Sequence, residues 1–339
     1  MKGKFLVLVL LILFVAMAAV SAEANDTALG HAQGSDVLEK SYFCDDDGEH
    51  EDDTVVTSDV VKYYGDKDTK FKVKVYDNNH KAQQGVYVSF GEDFENMKEK
   101  VTNSKGNVYF PINYKVGKHT VETYISAEEG TNYWYAMNTV KVKSTITPKE
   151  MVKFSTSKEK FKVKFLTSKG KVLANKNVKF TIDGKTYKVK TDAKGFAKIK
   201  KSFKVGKHKI VAYNPSSKEK RNLYAVILSK GTHKISLRID NPTVYFPTKK
   251  LSNGDKISTV YESKLNRQYA PGVYVESYYK GLDQAKHTKL VKAKFFFKNK
   301  KTGKVITKTS TKVSYGCISI KPIKGYTPYK ATVWYKDKK

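Results

Sequence analysis

The sequence predicts an all-β protein assembled from β-sandwich modules in tandem, and three observations carry that prediction. The 339 residues include 23 Tyr and 17 Phe, with Val, Ile and Thr frequent, a composition that suits a pleated, half-buried surface. Apolar residues alternate with lysine over short stretches, the period at which side chains change sides along a strand. A nineteen-residue phrase is written twice: Asn103–Val121 and Asp192–Ile210 align without a gap at an offset of 89, and both contain Lys-Val-Gly-Lys-His.

The chain opens with Lys2 and Lys4, an apolar run from Phe5 to Val20, and then Val20-Ser21-Ala22. This is the pattern of a secretory signal peptide, residues 1–22, cut after Ala22. The apolar run is shorter than the roughly 20 residues that span a bilayer. No second apolar span follows, so the expectation is a secreted chain that is soluble or held at a surface by non-covalent contacts.

Residues 23–54 form an acidic segment. Positions 23–53 hold eleven acids and one lysine, a net charge of −10. The total of +31 includes this −10 and +2 from the leader, so residues 54–339 carry +39. Such a field attracts anionic polymers and surfaces. Specific nucleic-acid recognition is not expected, because Arg221, Arg238 and Arg267 are the only arginines and lysine lacks the bidentate fork that reads guanine. Within the acidic segment, "CDDDGEHEDD" offers Asp45, Asp47, Glu49 and Asp53 as candidate Ca2+ ligands, since calcium takes six to eight oxygens. The full calcium-loop spacing is absent, and a disordered linker accounts for the same composition. Asn25-Asp26-Thr27 is a glycosylation sequon.

Residues 55–144 and 145–230 are expected to be two copies of one module. Beyond the shared phrase, "FKVKVYDNNHK" from Phe71 matches "FKVKFLTSKGK" from Phe161 at an offset of 90. A tandem period of this kind points to an array of modules. In the second copy Phe161, Val163 and Phe165 form one inward set, Val178, Phe180 and Ile182 another, and Tyr187 and Val189 a third. Asn103 and Asp192 open tight turns that Gly106 and Gly195 close, and Gly117 and Gly206 mark a reversal before the final strand. Several short strands with regular turns imply a β-sandwich. His119 and His208 fall on the apolar side of that strand, beside Val121 and Ile210. With no second ligand at metal spacing, they are expected to be half-buried packing groups whose ring nitrogens bond the loop backbone.

"KVTNSKGNVYFPINYKVGKHTVETY" and "KVKTDAKGFAKIKKSFKVGKHKIVAY" resemble the Ig-like repeats of archaeal, methanogen-type adhesin-like surface proteins, which are similar to bacterial invasin-type Ig-like domains. His119 and His208 stand where that pattern usually has tyrosine. The resemblance covers roughly residues 55–230 and implies secreted, non-enzymatic Ig-like β-sandwiches that act as stalks or binding modules at cell surfaces. Residues 231–339 are expected to form a divergent Ig-like C-terminal domain, with a hairpin at Asn299–Gly303.

Three further groups are candidates for function. "GVYVESYYKG" places Tyr274, Glu276 and Tyr278 on one face, with Val273, Val275, Ser277 and Tyr279 on the other; rings beside an acid suit sugar or protein contact, and cross-strand packing is the plainer account. "NYWYAM" gathers Tyr133, Trp134 and Tyr135. Cys44 and Cys317 are the only cysteines, and in an oxidising compartment they form a candidate disulfide. Cys317 with His287 and Asp283 is the only candidate thiol set for a weak hydrolase or cell-wall accessory enzyme. "SYGCISI" instead reads as a strand with a small apolar Cys facing the core. The expected function is that of an adhesin-like extracellular protein without catalytic residues or cofactor. Its expected partners are anionic cell-wall polymers, surface glycans or a partner-cell protein.

Overall fold

The computed structural model describes residues 54–77, 79–126, 133–240, 247–262, 272–278 and 285–339. Among these residues there is no α-helix, and no helix is long and apolar enough to cross a membrane. The strands form six sheets that pair into three sandwiches, each with its own apolar core.

The first sandwich contains β1 (Thr54–Val56), β2 (Val60–Tyr63), β3 (Lys70–Tyr76), β4 (Tyr87–Gly91), β5 (Lys98–Val101), β6 (Asn107–Pro111), β7 (Gly117–Ser126) and β8 (Tyr133–Lys143). The second contains β9 (Ile146–Thr147), β10 (Glu150–Phe154), β11 (Phe161–Phe165), β12 (Asn177–Ile182), β13 (Lys185–Lys190), β14 (Phe196–Ile199), β15 (Gly206–Tyr213) and β16 (Lys220–Leu228). Both have one plan. A three-stranded sheet, β1-β3-β6 or β14-β11-β9, faces a five-stranded sheet, β2-β8-β7-β4-β5 or β10-β16-β15-β12-β13. The first strand of the larger sheet pairs in parallel with the last, Val60 opposite Val140 and Glu150 opposite Tyr224. All other pairings within the two are antiparallel, which gives an Ig-like sandwich.

The alternating pattern explains the cores. Phe161, Val163 and Phe165 are buried, as are Val178, Phe180 and Ile182, while Lys162 and Lys179 are exposed. The turns form as their residues require. Asn103 Oδ1 accepts from the Lys105 and Asn107 amides, Asp192 Oδ1 accepts from those of Lys194 and Phe196, and Gly106 and Gly195 take φ +69° and +78°. One detail differs from expectation: β7 and β15, which begin at Gly117 and Gly206, are the penultimate strands. Each is followed by a long partner, β8 or β16, that completes the sheet.

The third sandwich contains β17 (Thr232–Arg238), β18 (Thr248–Lys250), β19 (Lys256–Glu262), β20 (Gly272–Tyr278), β21 (Thr288–Asn299), β22 (Val305–Ser310), β23 (Val313–Ser314), β24 (Cys317–Ile320) and β25 (Tyr326–Asp337). Its sheets, β17-β25-β21-β22 and β18-β19-β20-β24-β23, are wholly antiparallel, so it departs from the other two. The hairpin at Asn299–Gly303 is present, with Asn299 Oδ1 accepting from the Lys301 and Thr302 amides.

Candidate functional site

The lysines that alternate along the strands are brought face to face by the register. Lys118 stands opposite Lys141, Lys162 opposite Lys198, Lys179 opposite Lys188, Lys250 opposite Lys256 and Lys289 opposite Lys336, and every one of these side chains is exposed. Arg238 opposes Lys330 in the same way. Within the described registers no Lys or Arg stands directly opposite Asp or Glu. Like charges directly opposite one another destabilise a sheet, so these surfaces are not arranged for the stability of the isolated chain. Aromatic rings offset part of the cost. Lys179 Nζ lies 5.8 Å from the Tyr213 ring, and Lys330 Nζ lies 5.2 Å from that of Phe296.

Several acids are used instead at the junctions between sandwiches. Between the first and second, Asp66 Oδ1 accepts from Lys169 Nζ at 2.7 Å, Thr69 donates to its other oxygen, and Lys169 also pairs with Asp68. Burial alone would raise the Asp66 carboxyl, but these bonds together bring it down to about 2. Gly65, at φ +79°, lies so close to the second sandwich that a Cβ there would be 2.3 Å from the Ser217 carbonyl oxygen. Just beyond, Glu219 is buried and accepts from the Thr145 amide and hydroxyl at 2.7 Å each.

Between the second and third sandwiches the central group is Glu150. His287 Nε2 lies 3.3 Å from its Oε1, Lys207 Nζ is 3.0 Å from its Oε2, and Lys286 pairs with Oε1. The His287 hydrogen bond is the largest influence. Together with the two lysines it overcomes burial and holds the Glu150 carboxyl far below the usual carboxylate range. Lys207 also donates its amide to the Ser252 carbonyl at 2.8 Å, which ties the backbones together.

The second sandwich has a cleft of about 840 Å³ along its open side, between β13 and β14. Phe180, Ile182 and Ile199, all core residues, form its floor, and Tyr187, Val189 and Phe196 line it above. Lys188, Lys190, Lys198 and Lys200 stand around its rim. One end is closed by the turn at Thr191 and Asp192. At the other end Lys201 Nζ donates to Asp183 Oδ2 at 2.6 Å, and that bond lowers the Asp183 carboxyl. Tyr187 and Val189 were expected to be an inward, covered set. Val189 does pack against the core, but Tyr187 is 38% exposed, because nothing described closes over this side of the sandwich. Alternation marks which residues face inward; it does not show whether a second layer meets them.

The two histidines behave alike. Nε2 of His119 donates to the Lys115 carbonyl at 2.7 Å, and Nε2 of His208 to that of Lys204 at 2.8 Å. Each ring packs on an aromatic five residues earlier, Tyr114 or Phe203. The rings therefore pin the preceding loop to the strand, the packing role the sequence predicted.

Tyr274, Glu276 and Tyr278 lie on β20, opposite Ser319, Cys317 and Lys256 respectively; their side chains fall outside the described residues. Val275 and Ser277 are buried, as expected for the intervening positions. Asp45, Asp47, Glu49, Asp53, Cys44, Asn25 and Asp283 also lie outside the described residues. Among the described residues no group of His, Cys, Asp and Glu is arranged to hold a metal. Of the candidate group Tyr133, Trp134 and Tyr135, Trp134 is 3% exposed and belongs to the first core, which removes it from that group, whereas Tyr135 is exposed and packs on Tyr124 at 4.7 Å. Cys317 was expected to face the core. Instead Ile318 is fully buried and Cys317, one position earlier on β24, is half-buried with Sγ 3.7 Å from the Tyr315 carbonyl oxygen. The left-handed turn at Tyr315-Gly316 sets that register. His287, the proposed base for Cys317, is engaged with Glu150 at the junction.

No protein-family model matches the chain, and no curated protein matches it. Solved structures do show likeness. A Bacteroides ovatus protein of a mixed-linkage glucan utilization locus, solved with a heptasaccharide, is 8% identical, with 82% of this chain and 96% of that one covered at a TM-score of 0.27. A Ca2+-stabilized adhesin of an ice-binding Antarctic bacterium is 11% identical, with 84% and 73% covered at 0.21. The titin Ig tandem A164-A165 is 9% identical, with 57% and 100% covered at 0.22. At such scores the likeness adds nothing to the strand topology already described.

Proposed function

We propose that the chain is a non-enzymatic, adhesin-like protein of the cell exterior that holds anionic polymers on its lysine-bearing strand faces. The carrying observation is the set of directly opposed, exposed lysine pairs, with no acid opposite any of them in the described registers. A polyanion laid across such a pair removes the repulsion and gains two contacts at once. Acidic cell-wall polymers and charged glycans carry that chemistry. The junctions support a spacer role alongside it, because backbone contact and ion clusters fix each sandwich to the next. Specific contact with a glycan or a partner-cell protein is assigned to the third sandwich around Tyr274, Glu276 and Tyr278, where the repeat plan breaks.

Retention of the full chain on immobilised acidic polysaccharide, measured against salt, tests this reading. Exposed charges are screened beyond about 8 Å at physiological ionic strength, so binding through the lysine faces should fall steeply as salt rises. A remainder that survives high salt should vanish in Tyr274→Ala/Tyr278→Ala. Retention that ignores salt would rule out the lysine faces, and a double variant that binds like the parent would rule out β20.

A further inference from the structure

The cleft of the second sandwich has features that a polyanion site does not need. β13 and β14 are the outermost strands of their sheets, and among the described residues neither has a further ladder neighbour. Both therefore turn unpaired backbone N–H and C=O groups toward the same gap, over an apolar floor. An extended peptide satisfies such edges by adding a strand, while a side-chain pocket between them selects its residues. Lysines on edge strands normally discourage pairing with other chains. Here they select instead, rejecting any basic strand and admitting an acidic one.

We infer that this cleft binds the acidic segment Ser41–Asp53 of a second copy of the chain. That segment reads "SYFCDDDGEHEDD". Tyr42 and Phe43 supply rings for a floor made by Phe180, Ile182 and Ile199, and seven acids follow for the lysine rim. The folded part of the chain carries +39, so this segment is the portion with the complementary charge.

The geometry of the first sandwich requires the second copy. Thr54 pairs with Tyr76, whereas the other end of β3, at Lys70, lies just past Asp66 and the junction. The segment therefore leaves the first sandwich at the pole opposite the second. Eleven-residue β8 runs between those poles and spans about 35 Å at roughly 3.3 Å per residue. The nine residues Asp45–Asp53, fully stretched, reach only about 30 Å. Within one molecule the acidic run is used up before the cleft begins. Out of reach of its own cleft, the acidic run can be received by a neighbour's, and repetition of that contact links copies head to tail.

Sedimentation of residues 23–339 over a range of protein concentrations reads this association. The expected result is concentration-dependent self-association that an excess of a synthetic Ser41–Asp53 peptide, carrying Cys44→Ser, returns to monomer. Lys198→Glu on β14 combined with Lys200→Glu just past its end should weaken association by about tenfold or more, while Lys118→Glu/Lys141→Glu on the first sandwich should leave it within about twofold. Circular dichroism confirms that both variants fold. The inference is overturned if the chain stays monomeric throughout, if the peptide fails to compete, or if the two charge reversals act equally. It is also overturned if polyaspartate of the same length competes as well as the peptide, since charge alone would then explain binding. Salt-sensitive polysaccharide retention is measured separately, so failure here leaves the reading of the lysine faces standing.

Discussion

The first and second sandwiches carry the same phrase and use it identically, yet differ where the phrase stops. In both, an Asn or Asp turn, a glycine at positive φ and a loop-pinning histidine close one end. The link to the outer strand of the larger sheet is different. In the first it is a loop holding the short helix Phe94–Asn96; Phe94 packs edge-on against Tyr124, and Glu92 pairs with His119 at 2.7 Å. In the second it is the tight turn Asp183-Gly184, both residues at positive φ, and Asp183 pairs with Lys201 at the mouth of the cleft. Repetition thus preserves what every module needs in order to close, and divergence is confined to an edge that meets solvent.

The junction acids give the largest expected effect. Glu150→Gln leaves Lys207 and Lys286 gathered around a neutral group and should cost about 3 kcal/mol, the low end for breaking a buried pair, because Lys286 reaches solvent. Asp66→Asn, whose partner Lys169 is 47% exposed, should cost less, about 1–2 kcal/mol. The difference should depend on pH. A carboxyl held below its ordinary value contributes stability that is complete above the ordinary range and is lost as pH falls toward the folded value. Denaturant titrations of parent and Glu150→Gln should therefore converge in strong acid, separate as pH rises toward 4.5, and hold a constant gap above it. A gap that persists unchanged into strong acid would mean that packing, not charge, joins the second and third sandwiches.

The shared turns come next. Gly106→Ala would bring a Cβ within 2.4 Å of the Val75 carbonyl oxygen and Gly195→Ala within 2.8 Å of that of Phe165, each at positive φ. Both should cost about 2 kcal/mol, as strain and a backbone clash add. Gly184, at φ +76° with nothing within 4 Å of a Cβ, carries the strain alone, so Gly184→Ala should cost about 1 kcal/mol. Equal losses at Gly184 and Gly195 would show that the second turn is no more confined than the hairpin that varies.

Much of this was legible in the residues. Phe161-Lys-Val-Lys-Phe165 fixes which side is inside, and Asp192 and Gly195 fix where the chain turns, because both depend on local sterics and local hydrogen bonds. The histidines were legible through the apolar residues beside them. The junctions were not: Glu150 and Lys286 are 136 positions apart, and no pattern within a module reveals that one end of it meets the next. The cleft was hidden for a related reason, since Tyr187 alternates as a covered residue does. Cys317 was misplaced because alternation has two phases. The turn at Tyr315-Gly316, and not the small apolar character of Cys, chooses the phase that buries Ile318.

The smallest effect bears most directly on function. Lys118 opposes Lys141 on β7 and β8, both exposed. Lys118→Glu replaces a repulsive pair with an attractive one and should stabilise the chain, by about 0.5 kcal/mol at low salt. The gain should shrink as salt is added, because the pair is solvated. Lys179→Glu in the second sandwich should do the same, since Lys179 and Lys188 are likewise exposed and directly opposed, though on β12 and β13. Each variant should at the same time leave acidic polysaccharide at lower salt than the parent. A gain in stability accompanied by a loss of retention is what a surface shaped by its ligand requires. Stabilisation without any loss of retention would place the polymer on another face, and loss of retention without stabilisation would show that the opposed lysines do not repel one another.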